Sequence, residues 1–136
     1  MKTTFPKNNS HIPNWYIIDA KEKTLGRLAT EISKILRGKN NSYFYPTVDQ
    51  GNFVLVINSD QIKISGKKEY QKKYYNSTQK PGHLTFIFFK DLKKIYSTRI
   101  IEKAVGRMLP KGFLGKKYLK RLFLYNQNKI LYKHKI

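Results

Sequence analysis

Trp15–Lys39 reads WYIIDAKEKTLGRLATEISKILRGK, and it gains meaning beside the run FVLVIN at Phe53–Asn58. Trp15–Ala20 is dense in aromatic and β-branched residues, which suit a pleated strand. Beyond it, Leu25, Leu28, Ala29, Ile32, Ile35 and Leu36 recur at i, i+3, i+4, i+7, i+10 and i+11, the apolar stripe of one helix face. Thr24 stands where an N-cap belongs, and Gly38 where a left-handed turn would end the helix. Phe53–Asn58 is continuously apolar rather than alternating, as in a strand covered on both faces. Strand, helix and covered strand open a right-handed βαβ unit, so the chain is expected to be an α/β protein.

Outward from this unit, residues 1–14 are polar with two prolines and read as an extended arm. YPTVDQGN is a loop, and QIKISG at Gln61–Gly66 alternates like a further strand. Lys67–His83, KKEYQKKYYNSTQKPGH, is an exposed basic excursion closed by Pro81-Gly82. LTFIFFKDLKKIY has strand-forming residues, but Phe86, Phe89, Leu92 and Lys93 share a helical face, and we read it as helix. Ser97 or Thr98 then caps a helix through RIIEKAVGRML, which Pro110 ends. A short helix from Leu114 and a strand near Leu122–Tyr125 follow, and 126–136 is a basic tail.

The 136 residues suffice for one domain with a real core, and 40% hydrophobic content excludes a disordered basic tail. The formal net charge is +20. Residues 1–66 hold nine basic and five acidic residues, and residues 67–136 hold nineteen and three. Such self-repulsion points to a polyanionic partner, with the second half as its surface. There are no cysteines, which excludes disulfides, thiolate metal sites and cysteine nucleophiles. No apolar run approaches a membrane span, and no strongly basic amphipathic helix suggests a membrane surface. The first residues lack a hydrophobic signal core, so the chain is expected to work in the compartment where it is made.

Pro110–Tyr118, PKGFLGKKY, invites a phosphate-loop reading, which spacing removes. In G-x-x-x-x-G-K-[ST] ending at Gly115-Lys116, the first glycine falls on Pro110 and the magnesium-binding hydroxyl on Lys117. Two readings remain: a helix-ending loop with a solvated charged face, or a glycine-bent surface presenting Lys111, Lys116, Lys117, Lys120 and Arg121 to phosphates. The charge of this half favours the second. Gly26, one turn into a good helix, serves either close packing or passage of an RNA backbone over that turn beside Arg27. In the excursion, Lys67, Lys68, Lys72, Lys73 and Lys80 alternate with Tyr70, Tyr74, Tyr75 and His83, a mixture suited to phosphate contact beside stacking. The bland alternative is a solvated charge run with tyrosines packed on the domain. His11, His83 and His134 have no metal-ligand spacing, and no acidic pair suggests general acid–base work. Asp19 is read as a capping or loop hydrogen-bonding residue.

Three segments, WYIIDAKEKTLGRLATEISKILRGK, FVLVINSDQIKISGKK and AVGRMLPKGFLGKKYLKRLFLY, resemble the bacterial and organellar large-subunit ribosomal protein L13 family in order and spacing, over about residues 15–125. The resemblance implies a three-layer α/β/α domain around a mostly parallel sheet, here of four strands, with basic extensions. It also implies a non-enzymatic structural protein that binds large-subunit rRNA early in assembly, beside neighbouring large-subunit proteins, without cofactor, metal, membrane or small-molecule substrate. The basic residues flanking these segments become contact candidates: Lys23, Arg27, Arg37, Lys39, Lys67, Lys68, Arg107, Lys111, Lys116 and Lys117. Three features depart from the family's pattern. AVGRMLPKG stands where bacterial members tend to read AVKGMLPKG, turning the basic side chain by about 100° around the helix. The excursion lacks the usual His-Ser/Thr-Gly motif, and the tail lacks the usual His- and Pro-containing end. Composition rich in Lys, Asn, Ile and Tyr fits an AT-rich genome, that of a plastid or a bacterium. The rival readings are a standalone RNA-binding regulator and an RNA-processing enzyme.

Overall fold

The computed structural model describes residues 11–127. Most of the expected arm (1–14) and tail (126–136) lies outside these residues. The chain begins with strand β1 (Trp15–Asp19), helix α1 (Leu25–Arg37) and strand β2 (Phe53–Ile57). Thr24 sits at the α1 N-cap position without a side-chain bond, while its carbonyl accepts the Leu28 N–H at 3.0 Å. Gly38 closes the helix at φ 73°, its N–H bonded to the Ile35 carbonyl and that of Lys39 to the Lys34 carbonyl. A side chain there would collide with the Gln50 carbonyl, so only glycine fits this stop.

After β2 come short helix α2 (Lys68–Gln71), strands β3 (Lys73–Ser77) and β4 (Leu84–Phe88), helices α3 (Phe89–Ile95), α4 (Ser97–Met108) and α5 (Phe113–Leu119), and strand β5 (Leu122–Leu124). The main sheet runs β1-β2-β5, with both pairings parallel. The chain is therefore α/β, as expected, but three described strands form this sheet. The fourth expected strand, Gln61–Gly66, is reduced to one parallel bridge, Thr24↔Lys63. Asn58 adopts the left-handed conformation, the chain turns through a 3-10 segment at Ser59–Gln61, and Ile62 drops into the core. Lys63 then pairs with the turn ahead of α1, its amide donating to the Lys23 carbonyl and its carbonyl accepting from the Leu25 amide.

Two further expectations shift. Leu84–Phe88, read as helix, is a strand, because its β-favouring residues find a partner in Lys73–Ser77. The helical periodicity holds only from Phe89, whose ring is buried with Leu92. At α4 neither Ser97 nor Thr98 caps the helix: Tyr96 holds the N-cap position. The Ser97 hydroxyl instead donates to Asn126 Oδ1 at 2.7 Å, as does Ser59.

Strand alternation divides the sheet faces. Ile18, Val54, Val56, Leu122 and Leu124 meet α1, α3, α4 and α5 in one core cluster. On the opposite face Trp15 stacks on Phe53 at 4.6 Å and on Phe123 at 5.6 Å. None of these three rings joins the core cluster, and Ile17 beside them is 64% exposed. Helical cover over the described residues is thus seen on one face of the sheet.

Candidate nucleic-acid interface

Helix α4 places Lys103 and Arg107 four residues apart, hence on one face. That face borders a cleft of about 270 Å³. Lys68 from α2, Lys72, Tyr74 of β3 and Lys63 complete the basic wall, and the first turn of α1, Thr24–Gly26, forms the other. Among the described residues no carboxylate lines it. Lys72 is half-buried: burial, then the charges of Arg107 and Lys68, hold its pKa below the usual lysine value. Tyr74 is 4% exposed, with the Lys72 and Lys103 ammonium groups 5.4 and 5.3 Å from its ring centroid. Burial raises its phenol pKa, partly offset by Arg107. Lys63 has Glu22 at 4.0 Å on the exposed rim, but among the described residues Lys68, Lys72, Lys103 and Arg107 have no carboxylate partner, and their mutual repulsion around one hollow favours an anionic occupant.

Gly26 faces this cleft, and nothing lies within 4 Å of where its Cβ would stand. Close helix–strand packing therefore does not explain it. Its missing side chain leaves the floor of the cleft open beside the exposed Arg27.

The Met108–Tyr125 segment is bent as its sequence suggested. Gly112 has φ 138°, a region open to glycine, and a side chain on Gly115 would strike the Pro110 carbonyl. Lys111, Lys116 and Lys120 are exposed on this loop and helix. Lys117 and Arg121 stand differently. The Arg121 guanidinium grips Asp49 at 2.8 and 2.7 Å and donates to the Gly51 carbonyl, and Lys117 Nζ reaches the same carboxylate at 2.7 Å. Burial pushes the Asp49 pKa up, but bonds from Lys117, Arg121 and the Gly51 amide outweigh it, and the net shift is downward. This ion cluster pins the 38–52 loop to α5 and β5. The hollow beside it, lined also by His11 and Thr47, contains its own counter-charge.

The remaining candidates are dispersed. Lys23 pairs with Glu31 at 3.2 Å on the surface of α1. Arg37 lies over the Phe44 ring at 5.9 Å, and Lys39 and Lys67 are exposed. Lys73 and Tyr75 stand on the outer face of the β3–β4 hairpin, and Lys80 and His83 at its turn. Asp19 has the structural role expected of it, accepting bonds from the Lys21 amide and the Asn58 side chain at 2.9 Å. Among the described residues no cluster of three His, Cys, Asp or Glu could hold a metal, and no helix is long and apolar enough to cross a membrane. The cleft thus gathers Lys68, Lys72 and Arg107 from the expected set. It adds Lys63 and Lys103, which the sequence reading missed. The four-residue spacing of Lys103 and Arg107 was the available signal.

The family model of ribosomal protein L13 matches residues 13–130, nearly the whole described chain. The chain belongs to the ribosomal protein L13 family. Among relatives named large ribosomal subunit protein uL13, that of Synechococcus sp. strain CC9311 is 44% identical over 124 residues, 91% of this chain and 83% of its own. That of Prochlorococcus marinus strain MIT 9312 is 46% identical over 124 residues, 91% and 87% of the two chains. That of Agathobacter rectalis is 42% identical over 125 residues, 92% and 88%. The ribosomal protein L13 family is structural rather than enzymatic, which sets aside the RNA-processing enzyme.

Proposed function

We propose that this chain is a structural constituent of the large ribosomal subunit that binds large-subunit rRNA through its phosphates and supports early subunit assembly. Its place would be the ribosome of a bacterium or plastid, beside neighbouring large-subunit proteins. Family membership and cyanobacterial relatives support the setting. The observation that carries the mechanism is the cleft between α1 and α4, where Lys63, Lys68, Lys72, Lys103 and Arg107 converge and where, among the described residues, only Lys63 has a carboxylate partner, Glu22 at its rim. A phosphodiester backbone supplies the missing charge, and Gly26 leaves room for it. Lys111 and Lys116 extend the basic surface, whereas Lys117 and Arg121 mainly hold the loop bearing Asp49.

The test combines salt and charge reversal. If six to ten phosphates are engaged, affinity for a large-subunit rRNA fragment falls roughly 10³–10⁵-fold between 50 and 200 mM salt. Lys68, Lys103 and Arg107 changed together to Glu should abolish cosedimentation with the large subunit while the isolated protein stays folded. Lys117 is unsuitable for such a reversal, because Glu there would face Asp49. A flat salt response, or normal incorporation of the triple variant, rejects the mechanism. Pulse-labelled precursor particles should already contain the chain, and its appearance only in mature subunits rejects the early role.

A further inference from the structure

The β3–β4 hairpin carries an aromatic surface on the side away from the cleft. Its even-numbered residue Tyr74 is buried beside Phe89, with ring centroids 6.4 Å apart, and fixes the hairpin to the core. Strand alternation then turns Lys73 and Tyr75 outward, opposite Phe88 and Phe86 in the ladder. Tyr75, Leu84, Phe86 and Phe88 are 57, 61, 48 and 37% exposed. Tyr75 and Phe86 lie 6.2 Å apart, Phe86 and Phe88 meet edge to face at 5.5 Å, and Lys73 Nζ sits 4.6 and 5.3 Å from the two phenylalanine centroids. A contiguous exposed apolar face of this kind marks a contact surface.

We infer that this face is a stacking platform for unpaired RNA bases, resting on the reading that the neighbouring cleft takes RNA phosphates. A protein occupant fits less well. The cores of protein interfaces are depleted of lysine, yet Lys73 stands among the rings, and none of the described ladder residues on this face is a carboxylate. RNA meets both needs. Its bases stack on aromatic rings whatever their sequence, and its phosphate receives the lysine once a base displaces that lysine from the ring face. The two surfaces are also joined by one strand. Lys72 and Tyr74 line the cleft while Lys73 and Tyr75 face the platform, so one RNA strand can thread its backbone through the first and splay bases onto the second.

The full-length protein is titrated with a ten-nucleotide single-stranded RNA and with a backbone of the same length whose sugars carry no bases. The wild type should bind the base-bearing strand about tenfold or more tightly, the usual effect of a stacked base. Phe86→Leu with Phe88→Leu keeps the face apolar but removes the rings. It should bring the ratio near one without changing affinity for the abasic strand or its salt dependence. Lys73→Gln should lower the salt slope for the base-bearing strand by about one. A wild-type ratio near one, or a ratio untouched by the double variant, overturns the platform and leaves the face for a protein. If neither strand binds with a salt-dependent affinity, the phosphate reading falls as well.

Discussion

Gly26 occupies the second position of a thirteen-residue helix with no packing neighbour to require it. Alanine there should raise stability by up to about 1 kcal/mol, because helical glycine is entropically costly. The same methyl group would project toward the cleft that five cations surround. Gly26→Ala is therefore expected to melt higher and yet bind rRNA less tightly, measured by thermal denaturation and filter binding on one preparation. A lower melting point would show that the fold needs the glycine, and a higher one with unchanged or tighter binding would show that the cleft does not. The sequence showed that Gly26 was anomalous but left both explanations open, since packing distance is a tertiary fact. Arg107 is similar. Its place beside Gly106 was legible, but its location on the cleft wall depended on how α4 docks against α1.

At the scale of elements, β1, α1 and β2 were readable because their patterns are local and mutually consistent. The apolar stripe, the glycine stop and the continuous run Phe53–Ile57 all agree. Gln61–Gly66 misled because alternation reports suitability for a strand but not the presence of a partner. Leu84–Ile95 misled because one stretch contains a strand and a helix in succession, and the helical period of the second half was extended backwards. The Asp49 cluster was invisible for another reason: Asp49 and Arg121 are 72 residues apart. Asp49 and Arg121 are each 17% exposed, so removing the carboxylate strands a half-enclosed guanidinium. Asp49→Asn should cost about 3 kcal/mol, near the lower end for a broken buried pair. Because the folded carboxyl titrates below its unfolded value, this stabilisation is present at neutral pH and lost as pH falls below about 4. Chemical denaturation from pH 7 to pH 2 should show the wild type losing its advantage over Asp49→Asn in that range. A constant difference would mean that the carboxylate's charge is irrelevant to the clamp.

For the whole molecule, one variable should act with opposite signs on folding and on binding. A net charge of +20 on 136 residues opposes compaction, and the cleft, where only Lys63 of the five cations has a carboxylate partner among the described residues, concentrates part of that repulsion where the RNA is proposed to lie. Added salt screens cations from one another, so the free protein should become more stable as salt rises from 50 to about 300 mM. For a domain of this size each kcal/mol of relieved repulsion appears as about 3–5 °C in Tm. Over the same range rRNA affinity should fall steeply, because counterions then compete for the phosphates. A fold selected to stand alone would not need this opposition, whereas one completed by a polyanion accepts it. Replacing Lys68, Lys103 and Arg107 by Gln should flatten both curves, raising the low-salt Tm while reducing the salt slope of binding by about three. Calorimetry and filter binding across one salt series decide the matter. A wild-type Tm that stays level or falls as salt rises would show that the charge is already balanced within the chain, and would remove the cleft as the reason it needs a partner.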